Sequence, residues 1–154
     1  MAKKTIVVNP RLCVGCHSCE VACKQINKLP IGVFRIKVER NGPCYDKNGK
    51  LTIRFRIVRC TQCEKPRCVF ACPTKALKKQ NSGVVTVDKD LCNGCGECIE
   101  ACPIHAIWLN PETGKIEKCD MCVDKNLEIP PCVKHCMSKA LCYNDPYYPL
   151  GIPW

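Results

Sequence analysis

Sixteen of the eighteen cysteines in this 154-residue chain fall into four spaced groups. The first is Cys13-Val-Gly-Cys16-His-Ser-Cys19-Glu-Val-Ala-Cys23, a C-x2-C-x2-C-x3-C run. The second, Cys60-Thr-Gln-Cys63-Glu-Lys-Pro-Arg-Cys68-Val-Phe-Ala-Cys72-Pro73, has four residues in its middle gap. The third, Cys92-Asn-Gly-Cys95-Gly-Glu-Cys98-Ile-Glu-Ala-Cys102-Pro103, repeats the spacing of the first. In the fourth, Cys119-Asp-Met-Cys122 is followed after nine residues by Cys132-Val-Lys-His-Cys136. All four close with C-x3-C. The tails Pro73-Thr-Lys-Ala-Leu77, Pro103-Ile-His-Ala-Ile107 and Met137-Ser-Lys-Ala-Leu141 are alike, which argues for one duplicated unit.

Three thiolates at x2 spacing can wrap one face of a cubane iron–sulfur core when small residues let the loop curl, and Gly15, Gly94 and Gly96 supply that freedom. The loop turns backbone N–H groups toward the core sulfurs, which stabilises its negative charge. The fourth cysteine lies a helical turn further on, about 6 Å along the axis. It is poorly placed for the same core; in two-cluster ferredoxins that cysteine serves the other cluster and a proline follows it. Two clusters joined through one short helix sit on the order of 10 Å apart, close enough for electron hopping. Zinc favours two separated cysteine pairs, so a zinc-stapled interaction protein is the distant alternative.

The N-terminus speaks against a disulfide scaffold. Met1-Ala2-Lys3-Lys4 runs straight into Thr5-Ile6-Val7-Val8, with no apolar leader core, and in a reducing cytosol grouped thiols bind metals. A cytoplasmic location is expected, with no direct membrane insertion, because no apolar stretch is long enough to span a bilayer. Lys and Arg exceed Asp and Glu by ten. Each thiolate-bound core would contribute roughly −2, so four would bring the holo-protein close to neutral, and no nucleic-acid partner is expected.

The elements that must hold these loops read as short. Val33 to Arg40 alternates, as does Leu51 to Val58, and Asn48-Gly49 between them signals a hairpin turn. Val84 to Val87 and Ala106 to Leu109 are further short runs. Asn110-Pro111-Glu112-Thr113-Gly114 is a turn leading to Lys115-Ile116-Glu117-Lys118. Short helices are expected around the C-x3-C pairs. About half the sequence lies in cluster loops, so the fold is expected to depend on what those loops hold.

From Pro10 to Tyr143 the chain resembles the four-cluster ferredoxin-type iron–sulfur subunit of the dimethyl-sulfoxide-reductase type. The stretches "CVGCHSCEVACK", "RCTQCEKPRCVFACPTKAL", "LCNGCGECIEACP" and "KCDMCVDKNLEIPPCVKHC" carry the resemblance. It implies an α+β fold of two interleaved bacterial-ferredoxin-like modules, with short strands, short helices and cluster-binding loops. Residues 1–56 would begin an outer module, 57–114 form an inner one, and 115–154 complete the outer one with a C-terminal tail. The implied ligand sets for four [4Fe–4S] clusters are Cys60, Cys63, Cys68 and Cys102; Cys92, Cys95, Cys98 and Cys72; Cys13, Cys16, Cys19 and Cys136; and Cys119, Cys122, Cys132 and Cys23. The spacing alone predicts that fourth cysteines are exchanged; only the resemblance says which groups pair. Met137 departs from the proline usual after the last cysteine. The short chain, without the insertions and membrane-directed tail of some relatives, favours a soluble complex over a quinol-linked one.

Outside the groups, Cys44 and Cys142 are expected to be small buried hydrophobes, although the polar turn Asn41-Gly42-Pro43 could leave Cys44 exposed. His17, His105 and His135 sit beside ligands but are not needed as ligands. Val14, Val69, Ile99, Ile104 and Val133 are expected to pack the core and exclude water from the clusters. Lys24, Lys28, Lys78 and Lys79 are expected to be solvated, with steering of an acidic partner as the alternative. Tyr147, Tyr148 and Trp154, in the tail from Asn144, could form a docking arm on a partner, against an extended segment lying over its own domain.

No general acid–base pair, activated nucleophile or phosphate loop stands clear of the cysteine groups, so the chain is expected to carry electrons and not to catalyse. The leading expectation is an iron–sulfur subunit of a soluble tungsten- or molybdenum-pterin oxidoreductase, of the aldehyde oxidoreductase type for example. It would work between the catalytic subunit and a second electron donor or acceptor. A free polyferredoxin serving carbon monoxide dehydrogenase, hydrogenase or formate dehydrogenase is the second. Self-association into a wire would suit either.

Overall fold

In the computed structural model, which describes residues 5–143, the third cysteine of every group sits at the second position of a helix. The helices are α1 (Ser18–Asn27), α2 (Arg67–Phe70), α3 (Glu97–Glu100) and α4 (Pro131–Lys134). Only α1 exceeds one turn. His17 enters it in the left-handed region, with its ring 3.0 Å from the Glu20 carboxylate. It closes on left-handed Lys28, where the Leu29 N–H reaches back to the Lys24 carbonyl at 3.0 Å, and Pro30 blocks further turns.

The tails explain their own likeness. Three residues after the last cysteine, Lys75, His105 and Lys139 each adopt a positive φ of 50–56°. Their N–H groups bond to the carbonyls of Cys72, Cys102 and Cys136 at 3.1–3.2 Å. The next residues, Ala76, Ala106 and Ala140, are fully buried, and Leu77, Ile107 and Leu141 behind them open three strands. The tail is thus a turn that reverses the chain and a small residue on which the next strand starts. His105 occupies the slot filled by lysine in the other two copies.

The strands are β1 (Ile6–Val8), β2 (Ile36–Tyr45), β3 (Leu51–Arg59), β4 (Leu77–Lys79), β5 (Val85–Val87), β6 (Ile107–Asn110), β7 (Lys115–Lys118) and β8 (Leu141–Tyr143). They form four antiparallel two-stranded sheets: β1 with β8, β2 with β3, β4 with β5 and β6 with β7. The hairpins at 36–59 and 107–118 were legible from alternation and turn residues. Strands β1, β4 and β8, three residues each, are too short to show a period. The β1–β8 ladder pairs Ile6 with Tyr143 and Val8 with Leu141, tying the two ends of the described chain together. The boundaries drawn at 56/57 and 114/115 fall inside β3 and in the β6–β7 turn, so both junctions lie within hairpins.

Helix α1 packs on α4 and α2 on α3. A continuous core joins the pairs: Ile6, Ile36, Leu77, Val85, Ile116 and Leu141 together with cysteines of every group. The α+β, ferredoxin-like character expected from the sequence is what the chain shows. The tail from Asn144 lies outside the described residues. Among those described, no helix is long and apolar enough to cross a membrane.

Candidate metal centres

Three pockets are lined by four cysteines each. Cys72, Cys92, Cys95 and Cys98 surround one. Cys60, Cys63, Cys68 and Cys102 surround a second. Cys23, Cys119, Cys122 and Cys132 surround a third. In each, three thiols come from one group and the fourth from the end of another. The helix pairs explain this: Cys68 on α2 and Cys98 on α3 begin turns whose ends deliver Cys72 and Cys102 to the opposite cavity. The fourth site gathers Cys19 with Cys13 and Cys136, whose charges act on it, and Cys16 stands exposed on the same loop.

Among the described residues, no three His, Cys, Asp or Glu side chains lie close enough to hold a single metal ion. The thiols line volumes instead of converging on a point. Four soft sulfur donors around a wall that is mostly apolar in two pockets and carries Arg35 and Arg59 in the third suit an anionic iron–sulfur core. One buried atom fits that group specifically. The Nε of Arg59, which lines the Cys119 cavity, has no hydrogen-bond partner, and an anionic core would give it one. A [4Fe–4S] cluster bound there would supply one-electron redox capacity at a potential set by its surroundings.

The sites differ in electrostatics. Burial pushes the Cys23 thiol up to about 12, with Cys119 and Cys122 adding to the shift and Arg35 opposing it. Burial likewise raises Cys122 to about 11 and Cys98 to about 12, and it raises Cys119 and Cys132. At the outermost site, the Ser18 hydroxyl and N–H draw the exposed Cys16 thiol down. At Cys72 burial is outweighed by hydrogen bonds from Leu77, Thr74 and Ala76, so its thiol is lowered too. The raised thiols stay protonated at neutral pH until a metal group displaces the proton.

The linkages order the sites in a row. Cys19 and Cys23 on α1, with Cys132 and Cys136 around α4, join the Cys13 site to the Cys119 cavity. The α2–α3 pair joins the Cys60 cavity to the Cys92 cavity. Between the middle two runs a seam of buried polar side chains. Arg59 donates from Nη1 to the Cys60 carbonyl at 2.8 Å and from Nη2 to the Ile6 carbonyl. Lys118 donates to the carbonyls of Val85 at 2.5 Å and Cys119 at 2.8 Å. Gln62 donates to the Cys119 carbonyl at 2.8 Å and accepts from the Val85 N–H at 2.9 Å. Arg35 holds Glu117 at 2.8 Å and Asp120 at 2.9 Å beside the Cys119 cavity.

Sequence reasoning missed these four residues. Its available signal was the placement of Arg59 and Lys118 immediately before Cys60 and Cys119, where the other two groups carry Leu12 and Leu91. Other expectations need adjusting. Cys44 is exposed and Cys142 half-buried, so neither is a fully buried hydrophobe. Val14 is 63% exposed, whereas Val69, Ile99, Ile104 and Val133 pack on the core as expected. Lys24 is not simply solvated: it donates to the Pro30 and Val33 carbonyls and lies 4.2 Å over the Phe34 ring. Lys78 pairs with Asp88 and Lys79 with the Glu64 carbonyl. None of the histidines lines the three cavities.

Residues 51–145 match the family described as the 4Fe-4S dicluster domain. The chain belongs to that family. It is 41% identical over 149 residues to a polysulfide reductase component of Wolinella succinogenes, covering 94% of this chain and 78% of that one. It is 42% identical over 132 residues to the thiosulfate reductase electron transfer subunit of Salmonella typhi, covering 84% and 69%. It is 43% identical over 116 residues to a tetrathionate reductase subunit of Archaeoglobus fulgidus, covering 75% and 53%. The chain is an iron–sulfur electron-transfer protein of the [4Fe–4S] type and is not itself a catalyst.

Proposed function

We propose that the chain carries electrons through four [4Fe–4S] clusters as a subunit of a reductase whose catalytic partner holds a molybdenum- or tungsten-pterin cofactor and acts on an inorganic sulfur compound. The ligand sets are the four sets of four cysteines named from the resemblance. The observation that carries this reading is the row itself. Three four-cysteine cavities and a fourth group of thiols succeed one another, each neighbouring pair sharing a helix pair or the polar seam.

The two ends of the row are its open ends. Cys16 and Cys95 are exposed, whereas all four thiols of the Cys119 cavity are buried. An electron entering at one end and leaving at the other passes partners on two different faces. The catalytic subunit docks at one and the second electron carrier at the other. The names of the relatives favour polysulfide, thiosulfate or tetrathionate chemistry over aldehyde chemistry in that partner.

Anaerobic purification from the native source tests the proposal. The chain is expected to co-purify in a stable complex with a pterin-containing subunit, and the complex, supplied with a reduced dye, to reduce one of those sulfur compounds. Recovery of the chain alone, fully loaded and with no pterin partner, would favour the free polyferredoxin instead.

A further inference from the structure

Arg59 and Lys118 lie outside the cysteine pattern, and their surroundings are unlike those of any other charge among the described residues. Arg59 is 7% exposed and Lys118 1%. Burying a charge is costly unless an opposite charge or a full set of hydrogen bonds compensates it. Among the described residues, neither pairs with a carboxylate. The acidic groups that flank Lys118 in sequence are spent elsewhere: Glu117 on Arg35 and Lys89, Asp120 on Arg35. Only backbone carbonyls accept hydrogen bonds from the two cations, and the Arg59 Nε–H has no acceptor.

Those carbonyls lie on both sides of one seam. Arg59 reaches Cys60, a wall of one cavity, and itself lines the Cys119 cavity. Lys118 reaches Val85, on the wall of the Cys60 cavity, and Cys119, on the wall of the other. The charges these cations feel agree: Cys119, Cys132 and Cys60 act on Arg59, and Lys118 acts on Cys68 and Cys119. Two positive side chains with no carboxylate partner among the described residues therefore stand between two four-cysteine cavities.

We propose that Arg59 and Lys118 are positioning residues for electron transfer, raising the reduction potentials of the two middle clusters together and so matching them for the step across the seam. This rests on the four-cluster reading above. The step moves one electron from the core on one side to the core on the other; no bond forms or breaks and no proton moves. Reduction adds one negative charge to a core, and a fixed positive charge nearby favours the reduced form. Because the cations sit between the two cores, an electron crossing the seam stays beside them, which keeps the two potentials close.

The test is an anaerobic redox titration, followed by electron paramagnetic resonance, of the full holo-protein and four variants: Arg59→Gln, Lys118→Gln, Arg59→Lys and Lys118→Arg. The wild type must first show about sixteen irons per chain; fewer would sink the four-cluster reading, and the present inference with it. Given full loading, each neutral variant is expected to retain its iron and to shift two of the four midpoints downward. The expected shift is about tenfold in the one-electron equilibrium, which is about 59 mV. The charge-preserving variants are expected to stay near the wild type. Neutral variants that fail to load while the charge-preserving ones load normally also support a charge requirement. Fully loaded neutral variants with all midpoints unchanged would overturn the proposal. So would charge-preserving variants that shift or fail to load as severely as the neutral ones.

Discussion

The cysteine loops that open at Cys13 and Cys92 and those that open at Cys60 and Cys119 are versions of one unit put to different uses. The first two keep the tight x2 spacing, are headed by leucine and expose their second thiol, Cys16 or Cys95. The other two carry longer middle gaps and are headed by Arg59 or Lys118. They face each other across the seam, with Cys60, Cys68, Cys119, Cys122 and Cys132 all buried. Terminal loops meet solvent and can meet partners, so a thiol there tolerates exposure. Middle loops join distant parts of the chain, so their charges must be answered from inside the protein.

The contrast between end and middle loops should be sharpest at the thiols themselves. Cys119→Ser is expected to cost more than Cys95→Ser. Cys119 is buried where β7, Gln62 and Lys118 meet, whereas Cys95 edges a cavity open to solvent. Cys95→Ser should lose about four irons at most and keep the remaining fold. Cys119→Ser should lose more than one cluster and much of its native circular dichroism. Equal iron loss in the two variants, with circular dichroism intact, would remove the distinction between middle and end sites.

A smaller effect separates the two end loops. Gly15 and Gly94 hold equivalent places with φ of +68° and +71°, so alanine at either is strained by roughly 1–3 kcal/mol. A methyl at Gly94 would also meet the Gly114 backbone carbonyl in the β6–β7 turn, which cannot move aside cheaply. At Gly15 it would meet the Phe55 ring, a side chain on β3. Gly94→Ala should therefore lower the midpoint of thermal bleaching more than Gly15→Ala, by about 2–4 °C for each further kcal/mol at a fixed scan rate. The reverse order would mean that Phe55 is the less yielding neighbour.

Much of this architecture was legible because cysteine spacing is a local code. C-x3-C dictates a helical turn, and the turn carries the fourth thiol away from its own loop; α2 and α3 do this within a few residues. The hairpins at Asn48-Gly49 and 110–114 were legible for the same reason. What the spacing hides is non-local. Nothing in Thr5-Ile6-Val7-Val8 announces a ladder with Leu141, because three residues cannot display a period. Nothing in alternation places Arg59 inside, since Val58 and Arg59 are adjacent in β3 and both buried. The charge sum led to the expectation that positive residues answer anionic sites; it gave no sign that two of them, Arg59 and Lys118, would be buried beside the cysteine pockets. The basic residue before Cys60 and before Cys119, with leucine before Cys13 and Cys92, was visible in one dimension and became meaningful only in three.

The row of sites requires distant thiols to meet in fours, four times over. Iron and acid-labile sulfide, counted per chain in protein prepared without oxygen, report on this without any intermediate assumption. The expected result is about sixteen of each, with a brown preparation. About eight of each, or zinc in a colourless sample, would contradict it.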